Sequence, residues 1–370
     1  MKTAIILSAL MVFSVLVFGE EKPVEKPKVE VLFVLDTTGS MGGLIDVAKA
    51  KIWYVAEQII KGKPTPDVRM GLVAYRDKGD EYVTKIFDLT DNIDQIYSDL
   101  SDFKAEGGGD TPENVNLALY EAVHKIKWSD SPKTLKIIYL VGDSPPHNEY
   151  DDVQGYMKTA EEAIKKGIYI NTVLCGNNQE TKKIWNEISD ATEGTFVAIE
   201  QKGGVKEIPT PYDDELAKLN KELVGTTIVY GTKNEKEMGE SFKFSAGGLG
   251  GAKGASRAVY VTEAKKPVSL DKDLVLEADS DEKIEKALDS IKEDELPDEM
   301  KKMTVEERKK YIEEKKEERE KLMTQIKELS VKRDEYISEE LKKSPSAKDG
   351  FDLKVIETLK KQAEKNGIKY

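Results

Sequence analysis

Asp36, Thr38 and Ser40 occupy alternate positions in a short polar segment, and each side chain offers oxygen to a ligand. One carboxylate and two hydroxyls are hard donors, the type that Mg²⁺ and Ca²⁺ prefer in proteins. In a tight loop these three side chains can converge on one small cation. The same residue types also cap helices, because their oxygens accept hydrogen bonds from the first backbone N–H groups. A helical pattern begins at Gly42, so this segment alone supports both interpretations.

Two further acidic segments have the character of loops at the ends of elements. Gly107–Glu113 reads Gly-Gly-Gly-Asp-Thr-Pro-Glu and precedes a helical pattern, while Asp143 ends an apolar run. The first segment adds three candidate ligands: Asp110, Thr111 and Glu113. An alternative for this segment is a helix start, in which Pro112 takes the first turn and Glu113 meets the helix dipole. A helix start and a metal site are compatible here.

The elements around these segments predict an α/β fold with a doubly wound, mostly parallel sheet. Five consecutive apolar residues, Val31–Leu35, are typical of a strand buried on both faces. Strand patterns then alternate with helical ones as far as Ile199, which requires parallel crossovers and helices on both faces. The strands are predicted at 31–35, 68–75, 82–89, 135–141, 168–175 and 195–199, and the helices at 42–61, 91–103, 113–127, 151–166 and 181–192.

Open sheets of this kind bind ligands at the carboxyl ends of their strands. The segments that contain Asp36, Asp110 and Asp143 are therefore expected at one edge. A cation at that edge would relieve the repulsion among the carboxylates.

This combination resembles the von Willebrand factor A family with its metal-ion-dependent adhesion site. Residues 36–40 match the family's Asp-x-Ser/Thr-x-Ser signature, and Gly142-Asp143 matches its later acidic loop. The middle segment is similar to the hemicentin-type and integrin β branches, which have Asp-x-Pro-Glu there. The resemblance covers about Val29 to Glu200.

The resemblance implies that Mg²⁺, Mn²⁺ or Ca²⁺ is held by protein oxygens and water, with one position free for a Glu or Asp of a partner protein. It favours Glu113 over Thr111 as the direct ligand and places Asp110 next to the site. With Thr111, two carboxylates would balance a dication. With Glu113, a third negative charge would weaken the attraction for an outside carboxylate, and Asp110 would be free to support a second cation.

Catalysis is the alternative use of such a metal. A metal-assisted hydrolase would need a nearby acid or base, and the chain has only two histidines, His124 and His147. No nucleophile motif, phosphate-binding glycine loop or Cys/His metal cluster appears in the sequence. The sequence therefore predicts a binding module rather than an enzyme. A structural or assembly factor that acts through the C-terminal helices is the other alternative.

Composition limits the partners and the compartment. The net charge of −13 disfavours nucleic acid and anionic membranes. Residues 1–19, with Lys2 and the apolar run Ala4–Phe18, are typical of a signal peptide, so we expect a mature chain from about Glu20 in the periplasm or outside the cell. Its apolar run is shorter than the roughly 20 residues of a spanning helix, so no membrane insertion is expected after cleavage. Cys175 is the single cysteine, which excludes an intrachain disulfide.

The remaining chain is predicted as a series of segments. A tether at 20–28 precedes a von Willebrand-type domain at 29–224 that ends in a helix over Tyr212–Val224. Gly247–Gly251 predicts a flexible connector at 225–280, with a short strand at Ala258–Val261. A charged helical region follows at 281–370.

Within that region a capping box at Thr304 opens a helix to about Leu341, and a second helix covers Phe351–Ile368. The apolar stripe of the long helix is broken, so a continuous coiled coil is not expected. We expect the stripe to pack locally, against the helix at Phe351–Ile368. The alternatives are a solvated spacer and a docking arm for a partner or a second copy. The sequence leaves the oligomeric state open.

Overall fold

The computed structural model describes residues 26–109, 111–200, 208–267, 272–277, 280–343 and 351–370. Within these ranges, six strands form one sheet in the order β3-β2-β1-β4-β5-β6. Only β3 runs antiparallel to its neighbour, and it lies at an edge. The strands are β1 (Lys28–Asp36), β2 (Asp67–Tyr75), β3 (Thr84–Thr90), β4 (Leu135–Gly142), β5 (Ile168–Cys175) and β6 (Phe196–Ile199). The predicted mostly parallel, doubly wound sheet is confirmed.

Helices cover both faces of the sheet and supply most of the rest of the chain. A short 3₁₀ turn at Gly39–Met41 leads into the first of them. The helices are α1 (Gly42–Ile60), α2 (Ile93–Asp102), α3 (Val115–His124), α4 (Tyr156–Lys165), α5 (Gln179–Ala191), α6 (Asp213–Gly225), α7 (Lys233–Gly247), α8 (Gly251–Ala264), α9 (Leu274–Glu277), α10 (Asp281–Ser290), α11 (Val305–Lys343) and α12 (Phe351–Lys365).

The central strand β1 is buried on both faces, as its apolar run predicts. Val31 and Leu35 point into a core shared with α1, α2, α6 and α8. Leu32 and Val34 point the other way, into a core shared with α3, α4 and α5. This alternation follows from the two-residue period of a strand.

The strand register aligns the ends of β1 and β4. Leu35 lies opposite Val141 on β4 and opposite Ala74 on β2. One step further along the parallel strands, Asp36 stands next to Gly142, so Asp143 follows at the same edge. The strand register therefore brings the loops that contain Asp36 and Asp143 together at one edge of the sheet, as expected.

Helices α3 and α4 begin later than predicted, as does α2, which begins at Ile93 rather than at Asp91. Residues 113–114 are not helical, because Glu113 pairs by its backbone with the loop after β4, and α3 starts only at Val115. Gly155 has extended backbone, and α4 starts after it at Tyr156 rather than at Asp151.

The range predicted as a flexible connector contains two long helices, α7 and α8. Helix α8 lies against α1 and α6 and contributes Ala255, Ala258 and Val261 to the larger core. The predicted short strand at Ala258–Val261 is wrong, since these residues are helical. They are buried all round, and a short apolar run that is buried all round does not distinguish strand from helix.

The long helix α11 packs on the rest of the protein through α6, α8, α9 and α10. Leu322 and Ile326 join the larger core, while Ile312 joins a smaller one with residues of α9 and α10. The stripe is packed at these positions, but mainly on α6, α8, α9 and α10 rather than on the predicted helix at Phe351–Ile368. Helix α12 lies against α1 and β6, and Ile368 behind it is fully buried.

The described residues contain no helix that is both long and apolar enough to cross a membrane. The predicted signal peptide, and the tether as far as residue 25, lie outside them.

Candidate metal site

The loop after β1 folds around the carboxylate of Asp36. This side chain is fully buried, and its Oδ1 accepts hydrogen bonds from the Thr38 backbone N–H at 2.9 Å and from Thr38 Oγ1 at 2.7 Å. Thr38 Oγ1 lies 3.3 Å from Ser40 Oγ, so the three predicted donors are contiguous. Thr38 makes no side-chain cap hydrogen bond to the helical turn that follows. The capping interpretation therefore does not account for it.

A second loop, residues 104–108, is tied to the first by backbone contacts. The Gly39 N–H donates to Gly107 O at 3.1 Å, and the Glu106 N–H donates to Thr37 O at 3.2 Å. Arg76, which follows β2, donates from Nε to Thr37 O at 3.2 Å and from Nη2 to Lys104 O at 2.9 Å. The Arg76 side chain is thus the common donor that fixes both loops.

Two further loops, around Glu113 before α3 and around Asp143–His147 after β4, are joined to each other by backbone hydrogen bonds. The Glu113 N–H donates to Pro145 O at 3.0 Å, and the His147 N–H donates to Glu113 O at 3.1 Å. Asp143, two residues before Pro145, accepts a hydrogen bond at Oδ1 from Ser144 Oγ at 3.0 Å. These contacts place Glu113 at the Asp143 end of the cleft.

The loops enclose a cavity of about 270 Å³ at the carboxyl edge of the sheet. Five predicted site residues line it: Thr38, Ser40, Thr111, Glu113 and Asp143. Asp36 is linked to it through Thr38, and its Oδ2 lies 3.4 Å from the position that a Cβ on Gly142 would occupy. Asp110 lies outside the described residues. Thr111 and Glu113 both line the cavity, so the choice between them as ligand stays open.

Burial and mutual repulsion perturb the carboxyl groups. Burial raises the pKa of Asp36 to about 7; the hydrogen bonds from Thr38 oppose this rise, and the nearby Asp143 adds to it. Burial raises the pKa of Glu113 to about 9, with further contributions from Asp36, Asp77 and Asp80, and then from Asp143. Both shifts favour the protonated forms of these carboxyl groups relative to ordinary Asp and Glu side chains.

Two buried carboxylate oxygens have the properties expected of metal ligands. Asp36 Oδ2 and Glu113 Oε2 are buried and have no hydrogen-bond partner within the described residues. Such atoms cost free energy unless something pairs with them. A dication would supply that pairing and would favour the ionised forms.

The hydroxyls of Thr38 and Ser40 line the cavity together with the carboxylates of Glu113 and Asp143, so they would add neutral oxygen ligands for an ion. The donor set is oxygen-rich, which fits Mg²⁺, Mn²⁺ or Ca²⁺.

The cavity also has lining residues that the motif analysis did not select: Gly108, Ser144, Cys175, Asn177 and Asn178. Cys175 is the last residue of β5, the strand next to β4, and Asn177 and Asn178 lie in the loop after it. The rule that places ligands at the carboxyl edge of parallel strands points to this loop as well. Cys175, Asn177 and Asn178 are uncharged, so the acidic pattern that marks the other loops does not mark this one.

His147 does not line the cavity. Its ring stacks on Tyr150 with 4.3 Å between the centroids, and its nitrogens lie 2.5 Å from Glu149 Oε1 and 3.2 Å from Asp77 Oδ2. His124 is at the end of α3, where Nε2 lies 2.8 Å from Glu162 Oε2, far along the helix from the site.

Part of this chain is similar to a known protein family. Residues 30–210 match the family model of the von Willebrand factor A domain. The human von Willebrand factor A domain-containing protein 7 is 34% identical over 125 residues, which are 34% of this chain and 13% of that protein. A putative ariadne-like RING finger protein of Acanthamoeba polyphaga mimivirus is 28% identical over 188 residues, which are 46% of this chain and 18% of that protein.

Among solved structures, the conserved hypothetical protein BatB from Bacteroides thetaiotaomicron has a TM-score of 0.35 and 15% identity, covering 46% of this chain and 90% of that one. This chain spans less than a fifth of the two curated relatives. The doubly wound sheet with its polar carboxyl edge defines an α/β domain of the open-sheet class. More specifically, residues 30–210, just under half of the chain, are similar to the von Willebrand factor A domain.

Proposed function

We propose that this protein is a divalent-cation-dependent protein-binding module in which the metal accepts a carboxylate from a partner protein. The observation that carries the proposal is the pair of buried, unpartnered oxygens, Asp36 Oδ2 and Glu113 Oε2, beside a cavity lined with hydroxyl and carboxylate groups. Von Willebrand factor A domains are generally protein-interaction modules, which supports the same function.

The chain's own residues would divide the work at this site. Asp36, Thr38 and Ser40 would hold the cation from the β1 side, and Asp143 with Glu113 or Thr111 from the other. The metal would supply a Lewis-acidic position for an outside oxygen. Arg76 would keep two of the loops in place through its contacts with Thr37 O and Lys104 O.

We propose binding without catalysis. A hydrolase would need a free acid or base at the cavity, and His147 is instead held between Asp77 and Glu149. The signal-peptide pattern of residues 1–19 directs the search for a partner to exported proteins, in the periplasm or outside the cell.

The test is the effect of Mg²⁺ on thermal unfolding of the mature protein. A ligand that binds only the folded state stabilises it by about 2.7 kcal/mol at a hundredfold excess over Kd. We expect Mg²⁺ or Mn²⁺ to raise Tm, and Asp36→Ala and the isosteric Asp36→Asn to abolish the rise. Asp46→Ala removes an exposed carboxylate from α1 and should leave it unchanged. If none of Mg²⁺, Mn²⁺ and Ca²⁺ changes the Tm of the wild-type protein, the proposal is refuted.

A pull-down from the exported fraction tests the partner. Capture should require the divalent cation and should fail with Asp36→Asn. If capture survives EDTA and depends instead on α11, the protein is an assembly factor that acts through its C-terminal helices.

A further inference from the structure

One wall of the cavity comes from the loop between β5 and α5, which contains none of the predicted metal ligands. Asn177 and Asn178 connect β5 to α5 and line the cavity together with Glu113 and Asp143. Both asparagines are exposed to solvent, so a partner entering the cavity from outside meets them.

The two amide side chains are available as hydrogen-bond donors. Asn178 Oδ1 accepts the backbone N–H groups of Glu180 at 3.0 Å and Thr181 at 3.1 Å, so its acceptor atom is committed to the start of α5. Its NH₂ group plays no part in that cap. Within the described chain, the Asn177 side chain has no hydrogen-bond partner, although its backbone oxygen accepts from Gln179 Nε2 at 2.8 Å.

The charge of the cavity makes such neutral donors valuable. Glu113 and Asp143 line it, and no Lys or Arg of the described residues does. Glu113 is only 2% exposed and its Oε2 is unpartnered, which points to a cation in this cavity. A carboxylate bound to that cation through one oxygen has a second oxygen that still needs a donor. The amide wall at the N-terminus of α5, where the helix dipole favours an anion, can provide one.

We propose that Asn177 and Asn178 donate their side-chain N–H groups to the second oxygen of the partner carboxylate. This inference rests on the proposed function and adds to it the residues that bind the second oxygen of the carboxylate. The site selects a single carboxylate, as on Glu or Asp. A phosphate is disfavoured because its additional negative charge would meet the Glu113 and Asp143 carboxylates without a Lys or Arg to compensate it.

The variants Asn177→Asp and Asn178→Asp separate metal binding from carboxylate binding. Each keeps the size of the side chain but replaces the NH₂ donor by a negatively charged acceptor. Asp at 178 also retains an oxygen that can cap α5, since Asp and Asn are equally good N-cap residues. The added charge should leave Mn²⁺ affinity equal or raise it, whereas it should weaken acetate binding at least tenfold.

Water proton relaxation of bound Mn²⁺ measures both quantities. Acetate that displaces metal-bound water lowers the relaxation enhancement in a saturable way, and inorganic phosphate is titrated in parallel on the wild type. Asn186→Asp places the same charge about two helical turns further along α5 and should behave as wild type.

The possible outcomes are distinct. If both variants titrate acetate like wild type, or if phosphate displaces water as readily as acetate, the inference is overturned. The same holds if wild-type protein binds Mn²⁺ but does not respond to acetate. Failure of the wild type to bind Mn²⁺ at all would instead reject the proposed function. Asn177→Asp keeps the result decisive if the other variant does not fold, because Asn177 does not cap α5.

Discussion

Gly108 shows how closely the backbone approaches the side chains of the candidate site. Its φ is +73°, a conformation that disfavours residues with a side chain. A Cβ at this position would lie 2.9 Å from Thr38 Cβ and 3.0 Å from Glu113 Oε1. The glycine is therefore required both by the turn and by the space of the cavity.

We expect Gly108→Ala to destabilise the protein by about 1–2 kcal/mol, since Ala is unfavourable where φ is positive, and to weaken the rise of Tm with Mg²⁺. Urea unfolding with and without Mg²⁺ measures both effects. Gly109→Ala is the matched control, because a Cβ there meets nothing within 4 Å. Equal behaviour of the two variants would show that the loop does not press on the site.

The site residues that could be predicted were those whose position follows from strand order. Asp36 and Asp143 end adjacent parallel strands, and the alternation of elements placed them at one edge. The support for them was not visible in sequence. Arg76 and Asp80 reach the site through long-range contacts, with Asp80 accepting the Gly108 N–H at 3.1–3.2 Å, and no local pattern marks such residues.

At the level of elements, α8 is the helix that most changes the interpretation of the chain. Arg257 at its centre is fully buried and makes two bonds of 2.8 Å to the carboxylate of Asp94 on α2. It also donates at 2.7 Å to Asn220 Oδ1 on α6 and to Pro267 O. One side chain thus connects three helices on one face of the sheet.

Removal of Arg257 should be severe. Arg257→Ala removes the guanidinium that makes two bonds to the buried Asp94 carboxylate, and breaking a buried pair in this way costs about 3–5 kcal/mol. Chemical denaturation gives the free energy of unfolding. Lys218→Ala removes the cation of an exposed pair with Glu215 on α6 and should cost under about 1 kcal/mol. A loss at Arg257 as small as that at Lys218 would contradict this account of α8.

The glycines around α8 explain why the sequence of residues 225–280 predicts a flexible connector rather than helices. A Cβ on Gly254 would lie 2.8 Å from Ala217 Cβ on α6 and 2.3 Å from Leu249 O. The absence of a side chain therefore permits close approach of α8 to α6. In sequence, the same glycines are indistinguishable from those of a flexible linker, because only the partner helix shows what the missing side chain makes room for.

Over the whole molecule, α11 joins segments that are far apart in the chain. Arg319 donates from Nη2 to Asp273 Oδ2 at 2.8 Å and to Thr226 O at 3.1 Å. Arg333 contacts Glu57 of α1 at 3.1–3.2 Å and Asp213 of α6 at 2.8 Å. The helix was predicted correctly from its cap and period, but these partners are specified only by the tertiary structure. A spacer held away from the sheet domain does not describe this part of α11.

The Arg333 contact leads to a pH-dependent prediction. Glu57 is fully buried. Burial alone would raise its pKa, but Lys61 and Arg333 outweigh that effect and lower it. Because the folded protein binds this proton less readily than the unfolded chain does, Glu57 contributes stability above its ordinary pKa. That contribution is lost as the pH falls through the lowered value.

Arg333→Met should therefore cost about 3–5 kcal/mol near pH 7, where it leaves a buried carboxylate with less compensation. The variant should also let Glu57 take up a proton at higher pH, while Lys61 at 2.6 Å still favours ionisation. The stability gap between wild type and variant should accordingly shrink as the pH falls from about 7 towards 4. Denaturant unfolding at a series of pH values measures that gap.

Lys343→Met, which removes an exposed ion pair at the end of the same helix, should give a small gap that does not change with pH. A pH-independent gap for Arg333→Met would show that its contacts with Glu57 do not set the ionisation of that carboxyl group.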